Sequence, residues 1–191
     1  MLALALFLMM TAAPVSAPAV ERLSPREGSP SLGPAGAPNT LVLYMDFECP
    51  VCPRAAREMP GLVESFAPML RVELKHNPLA MHPKALDAAA ASRAAQRQGR
   101  FWEYHDLLLA PGPRDRATLL AHARTLGLDE AAFLKDLDDP DLRRGILAEQ
   151  EEARRAGAEG TPGFLINGHA EVGWASLPWI QGIVRAHLKK Q

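Results

Sequence analysis

The pattern of apolar and polar positions after residue 38 begins with two strands and a helix. Residues 41–45 form a short, almost unbroken apolar run of strand-favouring residues, which is typical of a buried parallel strand. A helical stretch then runs through Phe66, and the alternation over residues 71–76 predicts a second strand. The order strand, helix, strand predicts a βαβ unit.

The middle of the chain, residues 83–157, is helical in pattern. Pro83 suits the first position of a helix over the alanine-rich residues 85–98, and Gly99 suits the end of that helix. A short helix over residues 101–109 follows. Three further helices are predicted to begin after an aspartate that can accept hydrogen bonds from the first turn: Asp115, Asp129 and Asp139.

The end of the chain returns to strand patterns. Residues 163–166 and 170–172 are predicted strands, and Asn167-Gly168 between them favours a tight hairpin turn. A helix over residues 176–188 closes the pattern. The chain is therefore α/β, with its helical middle placed between two β regions.

The first residues have a different character. Residues 1–20 contain no charged side chain, and residues 2–10 are apolar but shorter than the roughly 20 residues that cross a bilayer. Small side chains follow, and Val15-Ser16-Ala17 fits a signal-peptidase site, with Thr11-Ala12-Ala13 as a second candidate. We interpret residues 1–17 as a signal peptide, with an uncleaved anchor as the alternative.

Composition and charge define the lead-in to the domain and argue against nucleic-acid binding. Residues 18–38 carry five prolines and three glycines, which predicts an irregular lead-in before a single domain over residues 39–191. The 21 Lys and Arg against 22 Asp and Glu give a net charge of -1, and 6% of residues are aromatic. Such a chain lacks the basic field of a nucleic-acid-binding protein.

The chain contains two cysteines, Cys49 and Cys52, in one C-x-x-C between the first predicted strand and its helix. A disulfide-stapled protein has more cysteines along its length, and a structural zinc site needs further ligands. Two cysteines at this spacing therefore indicate redox chemistry.

The place of the motif explains how one thiol becomes reactive. A thiolate attacks disulfides, and a helix N-terminus lowers a thiol pKa through unpaired amide N–H groups and the helix dipole. Cys49 is therefore predicted to be the exposed nucleophile, and Cys52, one turn along, the buried resolving thiol. Val51 cannot supply the positive charge that a histidine between the thiols would add, and Pro53 is expected to disturb the first turn.

Four segments together resemble the DsbA-like branch of the thioredoxin superfamily, over about residues 30 to 190. They are DFECPVC at 46–52, NPLAMHP at 77–83, GRFWEYHD at 99–106 and GTPGFLING at 160–168. The resemblance implies a thioredoxin fold, with a central mixed sheet flanked by helices and a long all-helical insertion over about residues 83–157. It also implies a thiol–disulfide oxidoreductase that acts outside the cytoplasm without a cofactor.

The resemblance implies further site residues. The Thr161–Pro162 bond is expected to be cis and to face the C-x-x-C, and these two residues would bind substrate together with Pro50 and Val51.

One position departs from many thioredoxin-like proteins. Leu43 stands six residues before Cys49, where those proteins place a buried acid that relays protons for the resolving cysteine. Asp46 and Glu48 could replace that acid, but we interpret both as solvated loop carboxylates because acids are rarely buried. His82 is interpreted as a surface turn histidine, with a place in the substrate groove as the alternative.

Two classes of function stay open. The first is an exported oxidoreductase, periplasmic or otherwise extracytoplasmic, that exchanges disulfides with protein substrates and is reset by a membrane redox partner. The second is an extracytoplasmic copper or zinc carrier that uses Cys49, Cys52 and a histidine. Isomerases of this superfamily carry an N-terminal dimerisation domain, whereas about twenty residues form the lead-in here. A monomeric oxidase or reductase is therefore favoured over an isomerase.

Overall fold

A computed structural model describes residues 22–23, 28–174 and 176–189. The strands of this part of the chain are β1 (Arg22–Leu23), β2 (Ser31–Leu32), β3 (Asn39–Met45), β4 (Leu70–His76), β5 (Gly163–Ile166) and β6 (His169–Val172). They form one mixed sheet in the order β1-β2-β4-β3-β5-β6.

The helices of the same residues surround this sheet. They are α1 (Cys52–Ser65), α2 (Ala85–Arg97), α3 (Phe101–Leu108), α4 (Arg116–Thr125), α5 (Glu130–Leu137), α6 (Pro140–Arg155) and α7 (Leu177–His187). Each element predicted after residue 38 is present, and the bounds differ from the sequence patterns by one or two residues. The helices α2 to α6 lie between β4 and β5, so the prediction of a thioredoxin fold with a long helical insertion is confirmed.

The sheet brings two segments that are distant in sequence to the same end of its strands. β3 runs parallel to β4, with Leu41 opposite Val72, as the predicted βαβ unit requires. β5 runs antiparallel to β3, with Gly163 opposite Tyr44. The residues that follow β3 and the residues that precede β5 therefore meet at one end of the sheet, where the C-x-x-C lies.

The hairpin between β5 and β6 forms as its turn residues predict. Asn167 and Gly168 both have positive φ, 49° and 87°. A two-residue turn with positive φ at both positions matches the twist of the strands that it joins.

The helical segment owes its close packing to alanine. α2 packs against α3, α4, α5 and α6, and the small side chains of Ala88, Ala91 and Ala95 are fully buried between them. The predicted caps Asp115, Asp129 and Asp139 each accept a backbone N–H of the following turn. The prediction that Pro83 is the first residue of this helix is wrong, because α2 begins two residues later, at Ala85.

Residues 28–38 of the lead-in are more ordered than their composition suggests. β2 pairs antiparallel with β4, and the Leu32 side chain is buried against the core. The backbone of β4 offers unpaired donors and acceptors on that side, and an extended segment of any composition satisfies them. The signal peptide predicted for residues 1–17 lies outside the described residues. Among the described residues, no helix combines the length and the apolar character needed to cross a membrane.

Candidate active site

The two cysteines occupy the turn between β3 and α1. Val51 caps the helix, and its carbonyl accepts the N–H groups of Arg54 and Ala55 at 3.1 and 3.3 Å. Pro53 is the second residue of α1, where an amide would have no partner within the helix. The disturbance of the first turn expected from Pro53 is therefore absent, and the helix begins at Cys52.

Cys49 lies against the loop that precedes β5. Its Sγ is 3.3 Å from the carbonyl oxygen of Thr161, a contact that spans 112 positions of sequence. The Thr161–Pro162 bond is cis, as the resemblance implies. Both cysteines are free thiols. The structure thus brings Cys49, Cys52, Thr161 and Pro162 together.

Cys49 is more buried than the exposed nucleophile that the sequence predicts. It is 5% exposed and Cys52 is fully buried, because the Thr161 loop covers the turn from one side. A groove of about 440 Å³ leads to Cys49 on the other side, and its walls include Phe47, Pro50 and Arg57. Access to the thiol is therefore directional, through this groove and past the exposed residues that flank the motif.

The two thiols have opposite pKa directions. The hydrogen bond from the Cys52 thiol is the main cause that lowers the pKa of Cys49 to about 5. The Thr161 side chain and the N–H groups of Val51 and Cys52 act in the same direction, whereas burial opposes them. The same pairing and burial raise the pKa of Cys52 far above its usual range. At neutral pH the pair therefore consists of a thiolate at Cys49 and a thiol at Cys52.

The side chain of Thr161 lacks a well-formed hydrogen bond. Its hydroxyl lowers the pKa of both Cys49 and Cys52, yet its buried Oγ1 has no partner of good geometry among the described residues. Its effect on the thiols is therefore that of a nearby dipole.

Pro50 and Val51 lie at the surface beside the thiols. Pro50 is exposed, and Val51 is exposed to 38%. Both can contact a molecule that approaches Cys49, whereas Pro162 is buried behind the motif.

Asp46 is buried, and its partner is His82, a turn residue that keeps part of its side chain in solvent. Asp46 is 2% exposed, and its Oδ2 lies 2.7 Å from Nδ1 of His82. The same oxygen accepts the N–H of Leu79 at 2.8 Å, and Oδ1 accepts the N–H of Glu48 at 2.7 Å. The interpretation of Asp46 as a solvated loop carboxylate is wrong, because these donors offset the cost of its burial. The side chain of Leu43 is packed in the core.

Comparison with known families identifies the fold. The sequence profile of the thioredoxin family matches residues 26–176, which is most of the chain. The chain belongs to the thioredoxin family. The resemblance to the thioredoxin superfamily is thereby confirmed.

Solved structures share most of the fold of this thioredoxin-family chain. A thioredoxin-like oxidoreductase from Silicibacter pomeroyi is 29% identical, with a TM-score of 0.74 over 83% of this chain and 91% of that chain. The thiol-disulfide exchange protein alpha-DsbA2 from Wolbachia pipientis is 20% identical, with a TM-score of 0.71 over 83% of this chain and 86% of that chain. The fold is therefore that of the DsbA-like thiol–disulfide oxidoreductases.

Curated relatives of this thioredoxin-family chain are much longer proteins. Na(+)/H(+) antiporter NhaA 1 of Salinispora arenicola is 42% identical over 146 residues, or 74% of this chain and 22% of the relative. NhaA of Herminiimonas arsenicoxydans is 37% identical over 137 residues, or 71% of this chain and 22% of the relative. The chain spans about a fifth of the length of these relatives.

Proposed function

We propose that this protein is a thiol–disulfide oxidoreductase that exchanges disulfides with protein substrates, with Cys49 as nucleophile and Cys52 as resolving thiol. The observation that carries the proposal is the difference in pKa and in access to solvent between the two thiols. Cys49 has a pKa lowered to about 5 and borders a solvent groove, whereas Cys52 is fully buried with a raised pKa. Exchange needs one thiolate that attacks and one thiol that waits beside it.

The steps follow from this arrangement. The Cys49 thiolate attacks one sulfur of a substrate disulfide, forms a mixed disulfide, and releases the other substrate sulfur as a thiolate, which takes a proton. Cys52 then loses its proton and attacks Cys49, which forms the Cys49–Cys52 disulfide and releases the second substrate sulfur. Two electrons pass to the substrate. The reverse sequence oxidises two substrate thiols, and the reduction potential of the pair sets which direction prevails.

The surroundings of Cys49 support a protein as substrate. Pro50 and Val51 present an exposed surface next to the sulfur, and Thr161, backed by the buried Pro162, lies on the opposite side. An extended peptide that lies across Pro50, Val51 and Thr161, on the loop that Pro162 shapes, places its own sulfur at Cys49.

The proposed setting is extracytoplasmic. The uncharged, apolar residues 2–10 and the small residues before position 18 support a signal peptide over residues 1–17. Residues 18–38 are then the lead-in, and residues 39–191 the oxidoreductase domain. A membrane redox partner resets the thiols of a monomeric protein.

A metal carrier has less support. Among the described residues, no three His, Cys, Asp or Glu side chains are grouped so that they could hold a metal ion. Thiolates bind copper(I) well, but among the described residues no third side chain of these types is grouped with Cys49 and Cys52.

Alkylation tests the assignment of the nucleophile. We expect iodoacetamide to modify the reduced protein rapidly at pH 6 and at Cys49 alone, since that thiol is ionised above pH 5. Mass spectrometry of modified peptides locates the label, and Cys52→Ser should keep the reactive thiol while Cys49→Ser loses it. Equal labelling of Cys52, or no labelling below pH 7, contradicts the assignment.

Trapping tests the substrate. A Cys52→Ser protein should accumulate a mixed disulfide with a disulfide-bonded test protein, because the resolving thiol is absent. Non-reducing electrophoresis detects the complex, and Cys49→Ser is the matched control that should form none. Absence of the complex with Cys52→Ser would argue against exchange with proteins.

A further inference from the structure

A carboxylate and an imidazole outside the C-x-x-C are packed against the turn that carries Cys49. The buried carboxylate of Asp46 binds Nδ1 of His82 through Oδ2 at 2.7 Å. The exchange steps described above use neither side chain. A fully buried carboxylate next to a reactive thiol nevertheless costs desolvation, which its hydrogen bonds must offset.

Hydrogen bonds fix the turn to the loop after β4. The Cys49 N–H donates to the carbonyl oxygen of Asp46 at 3.2 Å. Three groups of the loop, the N–H of Leu79, the ring of His82 and the N–H of Lys84, bind the side chains of Asp46 and Glu48 at 2.5 to 2.8 Å. The imidazole therefore has a fixed place beside the turn, although 20% of its side chain still reaches solvent.

The charges around this imidazole are negative. The groups that raise the pKa of His82 are Asp46 first, through its hydrogen bond, and then the charges of Cys49 and Glu48. Burial acts the other way and is outweighed. Coupling between two ionising sites is reciprocal, so a thiolate that favours the imidazolium is itself favoured by it.

We propose that His82, held by Asp46, is a positioning residue that adds a positive charge beside the Cys49 thiolate from the loop after β4, on top of the charges of Arg57 and Arg114 in the groove. Val51 leaves the C-x-x-C without such a charge of its own. The inference rests on the proposed role of Cys49 as the nucleophile. Hydrogen bonds to the sulfur are the main cause of its lowered pKa, so the imidazolium adds a smaller effect, about threefold in thiolate stability, as is usual for a partly exposed charge pair.

The first test separates charge from hydrogen bonding. His82→Asn keeps an N–H donor near the position of Nδ1 but removes the charge, and His82→Ala removes both. The rate of iodoacetamide modification of Cys49 is measured from pH 4 to pH 9 in each reduced protein. We expect both variants to react about threefold more slowly than wild type at pH 4, with the profile displaced to higher pH by about 0.5 unit.

The matched control is His169→Asn. His169 also pairs with a carboxylate, Glu171, at 3.0 Å, but it lies on β6 at the end of the sheet away from the thiols. This variant should retain the wild-type profile. If the His82→Asn profile superimposes on that of wild type, the proposal is overturned, and it is equally overturned if only His82→Ala differs.

The second test uses the unmodified protein and measures the coupling at the imidazole instead of at the thiol. NMR titration gives the pKa of each imidazole in the dithiol form and in the Cys49–Cys52 disulfide form, prepared with oxidised glutathione, which accepts the two electrons. We expect the pKa of His82 to fall by about 0.5 unit on oxidation, since the thiolate is lost. An unchanged His82 pKa overturns the proposal. A protein that shows the coupling but exchanges no disulfide with a test protein would contradict the proposed function alone.

Discussion

His76 and His82 each pair with a carboxylate, and these two pairs behave in opposite ways. Nδ1 of His76 lies 2.9 Å from Oε2 of Glu149, and Nδ1 of His82 lies 2.7 Å from Oδ2 of Asp46. The pKa of His76 is lowered, whereas the pKa of His82 is raised. Nearly equal pair geometry thus leads to opposite charge preferences near neutral pH.

Burial explains the difference. The side chain of His76 is fully buried, and desolvation is the largest cause of its lowered pKa, with Arg93 and His105 acting in the same direction. His82 keeps contact with solvent, so its hydrogen bond to Asp46 outweighs desolvation. A carboxylate partner therefore keeps a histidine charged only where the imidazolium is not stripped of water.

The buried pair also shows that a chain of hydrogen bonds does not by itself define a catalytic site. Ser92 Oγ, His76 and Glu149 are connected as in a hydrolytic triad, with Ser92 Oγ 2.9 Å from Nε2. Ser92 is fully buried, however, and its hydroxyl donates to the carbonyl of Ala89 at 2.8 Å. This network joins β4, α2 and α6, and it serves packing.

The largest expected effect comes from breaking the buried pair. Glu149→Gln should lower the free energy of unfolding by about 3 kcal/mol, because the largely buried guanidinium of Arg93 loses its carboxylate partner. Urea denaturation measures the change. The control is Glu151→Gln on the same helix, where the pair with Arg154 is exposed and the expected change is within about 0.5 kcal/mol. Equal losses for the two variants would contradict the role of burial.

A smaller loss is expected at the partly exposed pair. Asp46→Asn keeps an acceptor for the Glu48 N–H but turns an amide toward the donors of Leu79 and His82, at a cost of about 2 kcal/mol in the free energy of unfolding. The carboxylate of Glu48 accepts the N–H of Lys84 at the surface. The variant Glu48→Gln should therefore lower the free energy of unfolding by less than about 1 kcal/mol. If the order of these two variants is reversed in urea denaturation, the turn is not held by Asp46.

The smallest effect is a pH dependence. The pKa of His82 is raised by folding, so its contribution to stability is fully present below the unfolded pKa of about 6.5 and is lost as pH rises through the folded value. His76 has a lowered pKa, so it destabilises the protein as pH falls below about 6.5. Wild type should therefore exceed His82→Asn in stability by less than about 1 kcal/mol at pH 5.5, and by less again at pH 8.5.

Denaturation of both proteins at the two pH values measures this difference. A difference that grows from pH 5.5 to pH 8.5 would have the wrong sign for an imidazolium held by Asp46.

Local signals explain how much of the structure could be predicted from the sequence. The caps Asp115 and Asp129 act within three residues, and the turn at Asn167-Gly168 depends on the φ that those two residues tolerate. The C-x-x-C indicated redox chemistry for the same reason, because two thiols one helical turn apart can form a disulfide wherever the helix lies. Pro83 was placed wrongly at a helix start, since the turn around His82 continues past it.

The sequence by itself thus determined the order of strands and helices after residue 38, the thioredoxin-like motif and the candidate thiols, because hydrogen-bond periodicity and turn preferences act over a few residues. Tertiary structure alone decided how buried Cys49 is, since Thr161 reaches it from 112 positions away. It also decided that Asp46 is buried against His82, 36 positions distant. Burial depends on every neighbour in space, and desolvation with long-range partners sets whether a side chain is charged.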